Sequence, residues 1–270
     1  MIKQEIINAH IEDTELKIAV LRKEGSKTPL LFLHGFGSTK EDYADIMRHP
    51  DFKDREIIAY DAPGFGETEC SNLDKVSIDF LVKTAMVVIR HYKLEEFHVS
   101  GHSMGGLTAL MLLHRDKVNA MSFTDIEGNV SPEDCFLSRQ INDYPSDNPV
   151  QFFNDFIDRM RNLDGFSNSL YAANIKSKVK PDAIKPIFKS MVELSDHGDL
   201  MTKFLKLRCA KMFVYGEENG SLSYLKFLEE NDVKLSEISS SSHFPMYSNP
   251  PALWKSISEF ISTTEDKPHE

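Results

Sequence analysis

The chain has 270 residues, 41% of them hydrophobic and 27% charged. That is enough apolar material to bury a core without disulfides or metal staples, and too much for a disordered chain. A net charge of −11 argues against nucleic acid or an anionic membrane surface as the main partner, since both want a basic face.

No stretch nears the roughly 20 consecutive apolar residues of a membrane span. Residues 1–10 mix charge with apolar side chains and do not read as a signal peptide. Cys70, Cys135 and Cys209 are odd in number and far apart, with no metal-ligand spacing and no disulfide framework. This points to a cytoplasmic compartment.

In chain order, residues 2–10 and 15–22 predict a strand hairpin turning at Glu12-Asp13. Residues 29–33 and 55–60 predict short buried strands. A helix follows over 77–92, with Ile78, Leu81, Val82, Ala85 and Ile89 at helical spacing. Residues 97–99 predict a strand, 104–114 an apolar helix and 120–126 another strand. Residues 209–215 and 233–238 predict two more strands around a helix over 221–229. A closing helix runs over 251–261, and 263–270 reads as a frayed polar tail. The alternation predicts an α/β protein with a doubly wound, mostly parallel, eight-stranded sheet.

Residues 131–207 interrupt the pattern with helical periodicity alone. Phe152, Phe153, Phe156, Ile157 and Met160 mark one helix over 151–163. Ile184, Ile187, Phe188, Met191 and Val192 mark another over 183–194. The expected organisation is a core over 1–130 and 208–270 with a helical insertion over 131–207.

The chemistry concentrates at Gly101-His102-Ser103-Met104-Gly105-Gly106, between a predicted strand and an apolar helix. Small residues at 101 and 105 permit a tight strand-to-helix turn that lifts Ser103 clear of the backbone as a nucleophile. A serine hydroxyl needs a base. Of the ten histidines, His243 lies in the Ser-rich loop between the last strand and the last helix. His34 and His102 flank glycines and read as structural, and His197 reads as a surface residue.

These features resemble the α/β-hydrolase fold superfamily over nearly the whole chain. His34-Gly35-Phe36-Gly37 resembles the oxyanion loop after the third strand. Asp61-Ala62-Pro63-Gly64-Phe65-Gly66 resembles the turn after the fourth. The elbow and the Ser242-His243-Phe244-Pro245-Met246 segment follow in the family order. The resemblance implies a Ser–His–acid triad, a helical cap after the sixth strand and no cofactor or metal. It assigns the base to His243 and the oxyanion hole to the N–H groups of Phe36 and Met104.

The acid departs from the common pattern. Asn219 stands where many members carry an aspartate after the seventh strand, and an asparagine does not stabilise an imidazolium as a carboxylate does. Some branches, haloalkane dehalogenases among them, take the acid from the end of the sixth strand. There this chain reads Asp125-Ile126-Glu127-Gly128-Asn129, with Asp125 and Glu127 on one face if the strand persists. Glu127 is favoured because it ends the strand before a glycine. Asp125 is second, and Glu217 or Glu218 third.

The resemblance implies a serine hydrolase, foremost a carboxylic ester hydrolase, acting on a small or medium ester, thioester or lactone with an apolar part. Carbon–carbon cleavage of a dienone-type substrate uses the same triad. Dehalogenase and epoxide hydrolase chemistry is disfavoured, because those families carry an aspartate at the Ser103 position. Asn219 keeps open a ligand-binding or sensor protein on the same fold. Among the aromatics of the insertion, Phe136, Phe152, Phe153, Phe156, Phe166, Tyr171 and Phe188, most are expected in its core and a minority facing the serine. Arg139, Arg159 and Arg161 read as a solvated face, and Met104, Met111 and Met121 as core. No nucleic-acid or membrane partner is expected, and the chain is expected to be a monomer or homodimer.

Overall fold

A computed structural model of the protein describes residues 1–115 and 118–266. Ten-residue strands β1 (Ile2–Ile11) and β2 (Thr14–Lys23) pair antiparallel through the expected hairpin. Then come β3 (Lys27–Leu33), β4 (Arg55–Tyr60) and a two-residue β5 (Glu69–Cys70) that pairs with β2. Helix α1 (Ile78–Tyr92), β6 (Phe97–His102), α2 (Met104–Arg115) and β7 (Ala120–Ile126) follow. Helices α3 (Pro149–Arg161), α4 (Phe166–Lys178), α5 (Ile184–His197) and α6 (Leu200–Leu205) fill the interval before β8 (Ala210–Gly216). The chain continues with α7 (Leu225–Glu230), β9 (Lys234–Ile238), α8 (Pro245–Ser248) and α9 (Pro250–Glu265).

The sheet order is β1-β2-β4-β3-β6-β7-β8-β9 with β5 beside β2. From β4 through β9 every neighbouring pair is parallel. The eight predicted strands form this path; β5 is the addition. Every residue of β6 is buried, as are Leu30 to Leu33 of β3, so both sheet faces are covered, as continuous apolar strands require. The strand order reverses beside β3: β4 lies on one flank and β6 on the other. The loops after β3 and β6 therefore open at the switch point, where α/β sheets place their ligands.

The tail departs from expectation. Helix α9 runs on to Glu265, because the Arg55 guanidinium grips the Glu265 carboxylate at 2.9 and 2.8 Å. Residues 267–270 of the predicted tail lie outside the described residues. Helix α7 is shorter than expected and begins at Leu225, after a turn.

The turn after β4 is held by a buried ion pair. Asp61 is fully buried and Lys40 is 1% exposed. Asp61 Oδ1 accepts the Lys40 N–H at 2.8 Å, and its Oδ2 accepts the Glu67 N–H and Lys40 Nζ, each at 2.9 Å. Replacing Asp61 with alanine leaves the Lys40 ammonium only the exposed carboxylates of Glu41 and Glu67, at 2.6 and 2.8 Å, and strips the Lys40 and Glu67 N–H groups of their acceptor, which costs about 3–5 kcal/mol. The urea midpoint of Asp61→Ala is expected to fall by at least about 1 M; an unchanged midpoint would show that the pair carries no stability.

Main-chain bonds fasten the α3–α6 segment to the sheet side of the molecule. Gly66 N–H donates to Lys178 C=O at 2.8 Å, and Lys180 N–H to Gly64 C=O at 2.9 Å. Phe152, Phe153, Phe156, Tyr171 and Phe188 are buried within the segment, whereas Phe136 and Phe166 are 52% and 72% exposed. The Phe36 ring, from the loop after β3, packs against Phe156 at 5.8 Å and Phe188 at 4.5 Å.

Candidate active site

Strand β6 ends at His102, and Ser103 follows with φ of 51°. This left-handed conformation is strained for a non-glycine residue. The turn is held by Ser103 N–H donating to Ile126 C=O at 2.9 Å and Leu107 N–H to Ser103 C=O at 3.0 Å. It is possible because the residues two before and two after Ser103 are glycines. A Cβ on Gly101 would lie 2.4 Å from the Gly105 carbonyl oxygen, and one on Gly105 would lie 2.1 Å from that of Leu33. The same packing brings Met104, the first residue of α2, beside the end of β3. Among the described residues the N–H groups of Phe36 and Met104 have no acceptor.

The bond from Ser103 to Ile126 places the serine one residue before Glu127. Strand β7 stops at Ile126 because Glu127 is also left-handed, with φ of 49°. Asp125 and Glu127 therefore do not share a face. Glu127 is 7% exposed, and its carboxylate is held on several sides. Oε1 accepts Gly216 N–H at 2.7 Å and Asn219 Nδ2 at 2.9 Å; Oε2 accepts Asn219 Nδ2 at 2.7 Å and His243 Nδ1 at 3.0 Å. Burial opposes ionisation of this carboxyl, but the imidazole, the Gly216 N–H and the Asn219 amide together hold it below the usual range. A carboxylate accepting from Nδ1 fixes that nitrogen as the protonated one and leaves Nε2 as the basic site. Neither His243 Nε2 nor Ser103 Oγ has a hydrogen-bond partner among the described residues; such bonds tighten when substrate is bound.

Asn219, at the position where many family members carry an aspartate, donates to the Glu127 carboxylate. The fit of donor to acceptor was not visible in the sequence, because Glu127 lies 92 residues away. The other two carboxylates are placed elsewhere. Glu217 accepts the Ser240 N–H at 2.8 Å at the surface, and Glu218 is exposed.

Asp125 is fully buried behind the elbow, against Gly106 and Gly128, with both oxygens unpartnered. Burial raises its carboxyl well above the usual range, and the negative charges of Asp134 and Glu127 add to that. A carboxyl raised on folding favours the folded state only while protonated. Its stabilising contribution is complete below the ordinary carboxylate range and is lost as pH rises. Asp125→Asn keeps the shape and removes this liability. Its melting temperature is expected to match wild type near pH 3 and to exceed it by several degrees at pH 8. A difference independent of pH would contradict a neutral Asp125.

The two glycine-flanking histidines brace the loops. His34 Nε2 accepts the Ala62 N–H at 2.9 Å and its Nδ1 donates to Gly35 C=O at 2.8 Å. His102 Nε2 donates to the His243 carbonyl at 2.8 Å. Burial keeps both rings neutral by lowering their basicity. His197 is exposed. Arg139 pairs with Asp196, Arg161 with Asp158, and Arg159 bonds Gln140. Met104 and Met111 are buried, and Met121 partly so.

Aromatic rings frame the imidazole. Phe136 and Phe244 meet it edge-on at 5.3 and 5.0 Å, with Phe136 half exposed. A cleft of about 390 Å³ opens elsewhere in the helical segment, beside Tyr144, Phe152, Lys185 and Lys189; Ser103, Glu127 and His243 do not line it. Among the described residues no cluster of side chains suits a metal ion, and no helix is long and apolar enough to cross a membrane.

This geometry is that of an α/β hydrolase. The family model described as alpha/beta hydrolase fold matches residues 28–198, and the chain belongs to that family. It is 33% identical over 102 residues to human monoacylglycerol lipase ABHD6, covering 37% of this chain and 30% of that protein. It is 36% identical over 84 residues to the dihydrolipoyllysine-residue acetyltransferase component of the acetoin cleaving system of Pseudomonas putida, covering 31% of this chain and 22% of that one. The matched segments are thus under a third of either relative. Among solved structures, a mutant of the N-acyl homoserine lactonase AidH complexed with N-hexanoyl homoserine superposes with a TM-score of 0.77 at 17% identity, over 100% of both chains. A thermophilic esterase from Thermogutta terrifontis gives 0.73 at 17% identity, over 97% of this chain and 99% of that one. At these identities the likeness is one of fold.

Proposed function

We propose that the protein is a serine hydrolase of carboxylic esters, lactones included, with Ser103 as nucleophile, His243 as base and Glu127 as the acid that orients it. The observation that carries this reading is the Glu127 carboxylate 3.0 Å from His243 Nδ1, beside a serine in a strained elbow. Ser103 Oγ bonds to the substrate carbonyl carbon as its proton passes to His243 Nε2. The carbonyl π pair moves onto oxygen, where the N–H groups of Phe36 and Met104 receive it; one such donor contributes roughly 3–4 kcal/mol. The tetrahedral species expels the alcohol, which takes the proton from His243. Water then repeats the sequence on the acyl-serine, releasing the acid and restoring Ser103. The helices between β7 and β8 act as a cap, and the half-exposed Phe136 at the imidazole suits a substrate with an apolar group.

Two features support this reading over that of a binding protein. Asn219 completes the environment of an acid, and the glycines spend their space on a nucleophile turn. The test is steady-state turnover of chromogenic acyl esters of increasing chain length and of an acyl lactone. Saturable turnover is expected. Ligand-induced thermal stabilisation without turnover would establish a binder instead.

A further inference from the structure

We infer that Tyr171, on α4 of the helical segment, is a positioning residue for the oxyanion hole; this rests on the hydrolase reading above. Tyr171 is 1% exposed, and its hydroxyl donates to the Phe36 carbonyl oxygen at 3.0 Å. Its ring stacks on Phe244, with centroids 4.4 Å apart and planes 23° from parallel. One side chain of the helical segment thus touches both the residue expected to receive the oxyanion and the neighbour of the base. Burial keeps the phenol protonated, by raising it well above its ordinary range. The hydroxyl is a donor at every working pH.

The contact is built closely. Gly37, with φ of 76°, lies so near that a Cβ there would sit 2.5 Å from the Tyr171 oxygen. Phe36 is pinned at two points. Its ring is wedged among Phe65, Phe156 and Phe188, and its carbonyl is fixed by Tyr171. With side chain and carbonyl set, the Phe36 nitrogen is fixed in place, and the Gly35 carbonyl of the same peptide, held by His34 Nδ1 and the Ser38 N–H, aims its N–H. Among the described residues nothing else donates to that carbonyl. Without the hydroxyl the buried carbonyl loses its partner and the loop gains freedom to turn. Preorganised donors are effective because they need not reorient as charge develops, so this freedom weakens transition-state binding rather than substrate binding.

The Tyr171→Phe protein isolates the hydroxyl. Helix α4 stays docked through the Lys178 ammonium on the Asp42 carboxylate at 2.7 and 2.8 Å and through the main-chain bonds around residues 178–180. On a chromogenic ester, kcat is expected to fall about 5- to 20-fold with KM within twofold of wild type. The inhibition constant of an aryl trifluoromethyl ketone, which forms an oxyanion on addition of Ser103, should rise by the same factor as kcat/KM falls. Lys178→Met loosens the same helix without touching Phe36 and should leave the ratio of ketone to substrate affinity unchanged. Unchanged kcat/KM in Tyr171→Phe, a rise in KM alone, or an equal loss of that ratio in Lys178→Met would overturn the inference. Wild type lacking turnover would overturn the hydrolase reading itself, before any variant is compared.

Discussion

Ester turnover by the Ser103→Ala protein is expected to fall about a million-fold in kcat, to the residue of rate left by binding and oxyanion contacts alone. The substitution removes one oxygen and little else. The left-handed backbone at Ser103 is fixed by main-chain bonds to Ile126 and Leu107, and alanine can occupy it at a cost similar to that of serine. Far-ultraviolet circular dichroism and the melting temperature should therefore match wild type within a few degrees. A fall of only tenfold would mean that another group is the nucleophile. A loss accompanied by unfolding would leave the elbow a structural device.

The second large effect concerns the acid. Glu127→Gln is expected to lower kcat about ten-thousand-fold, the scale seen when an acid that sets the histidine tautomer is made an amide. The glutamine amide can present an N–H to His243 Nδ1, which then favours the wrong tautomer and leaves an imidazolium uncompensated. Because Asn219 Nδ2 lies 2.7 Å from Glu127 Oε2, the missing charge can be restored from the other side. The double variant Glu127→Gln/Asn219→Asp exchanges donor and acceptor across this contact and returns one negative charge to the same niche. It is expected to recover at least tenfold over Glu127→Gln in kcat. Asn219→Asp alone puts two carboxylates within hydrogen-bond distance, where both cannot stay ionised; it should shift the acid limb of the pH–rate profile upward. If Asp125→Asn, and not Glu127→Gln, gave the ten-thousand-fold loss, the acid would be misassigned.

Much of the fold was legible because its signals are local. Apolar runs such as Leu30 to Leu33 mark strands buried on both faces, and glycines spaced around Ser103 mark a turn that only small residues can make. Helix α4 was not legible. It is rich in serine and asparagine, and its buried positions reduce to Ser167, Tyr171, Ala172 and Ile175, too few for a clear helical stripe. The placement of the carboxylates was legible only in part. Strand periodicity sets Asp125 and Glu127 on one face, whereas the left-handed Glu127 turns its side chain out of that register. In the sequence Asn219 shows only the charge it lacks; its donor function depends on a carboxylate distant in sequence. The carbonyl of Phe36 and the hydroxyl of Tyr171 meet through tertiary packing alone, and no spacing announces them.

The most direct measurement is covalent labelling by a fluorophosphonate, located by peptide mass mapping in wild type and in the Glu127→Gln, Asp125→Asn and Glu217→Gln proteins. Rapid labelling of Ser103 in wild type is expected, collapsing in Glu127→Gln and persisting in the other two. A wild-type protein whose Ser103 stays unlabelled would contradict a serine nucleophile and return the chain to a ligand-binding function.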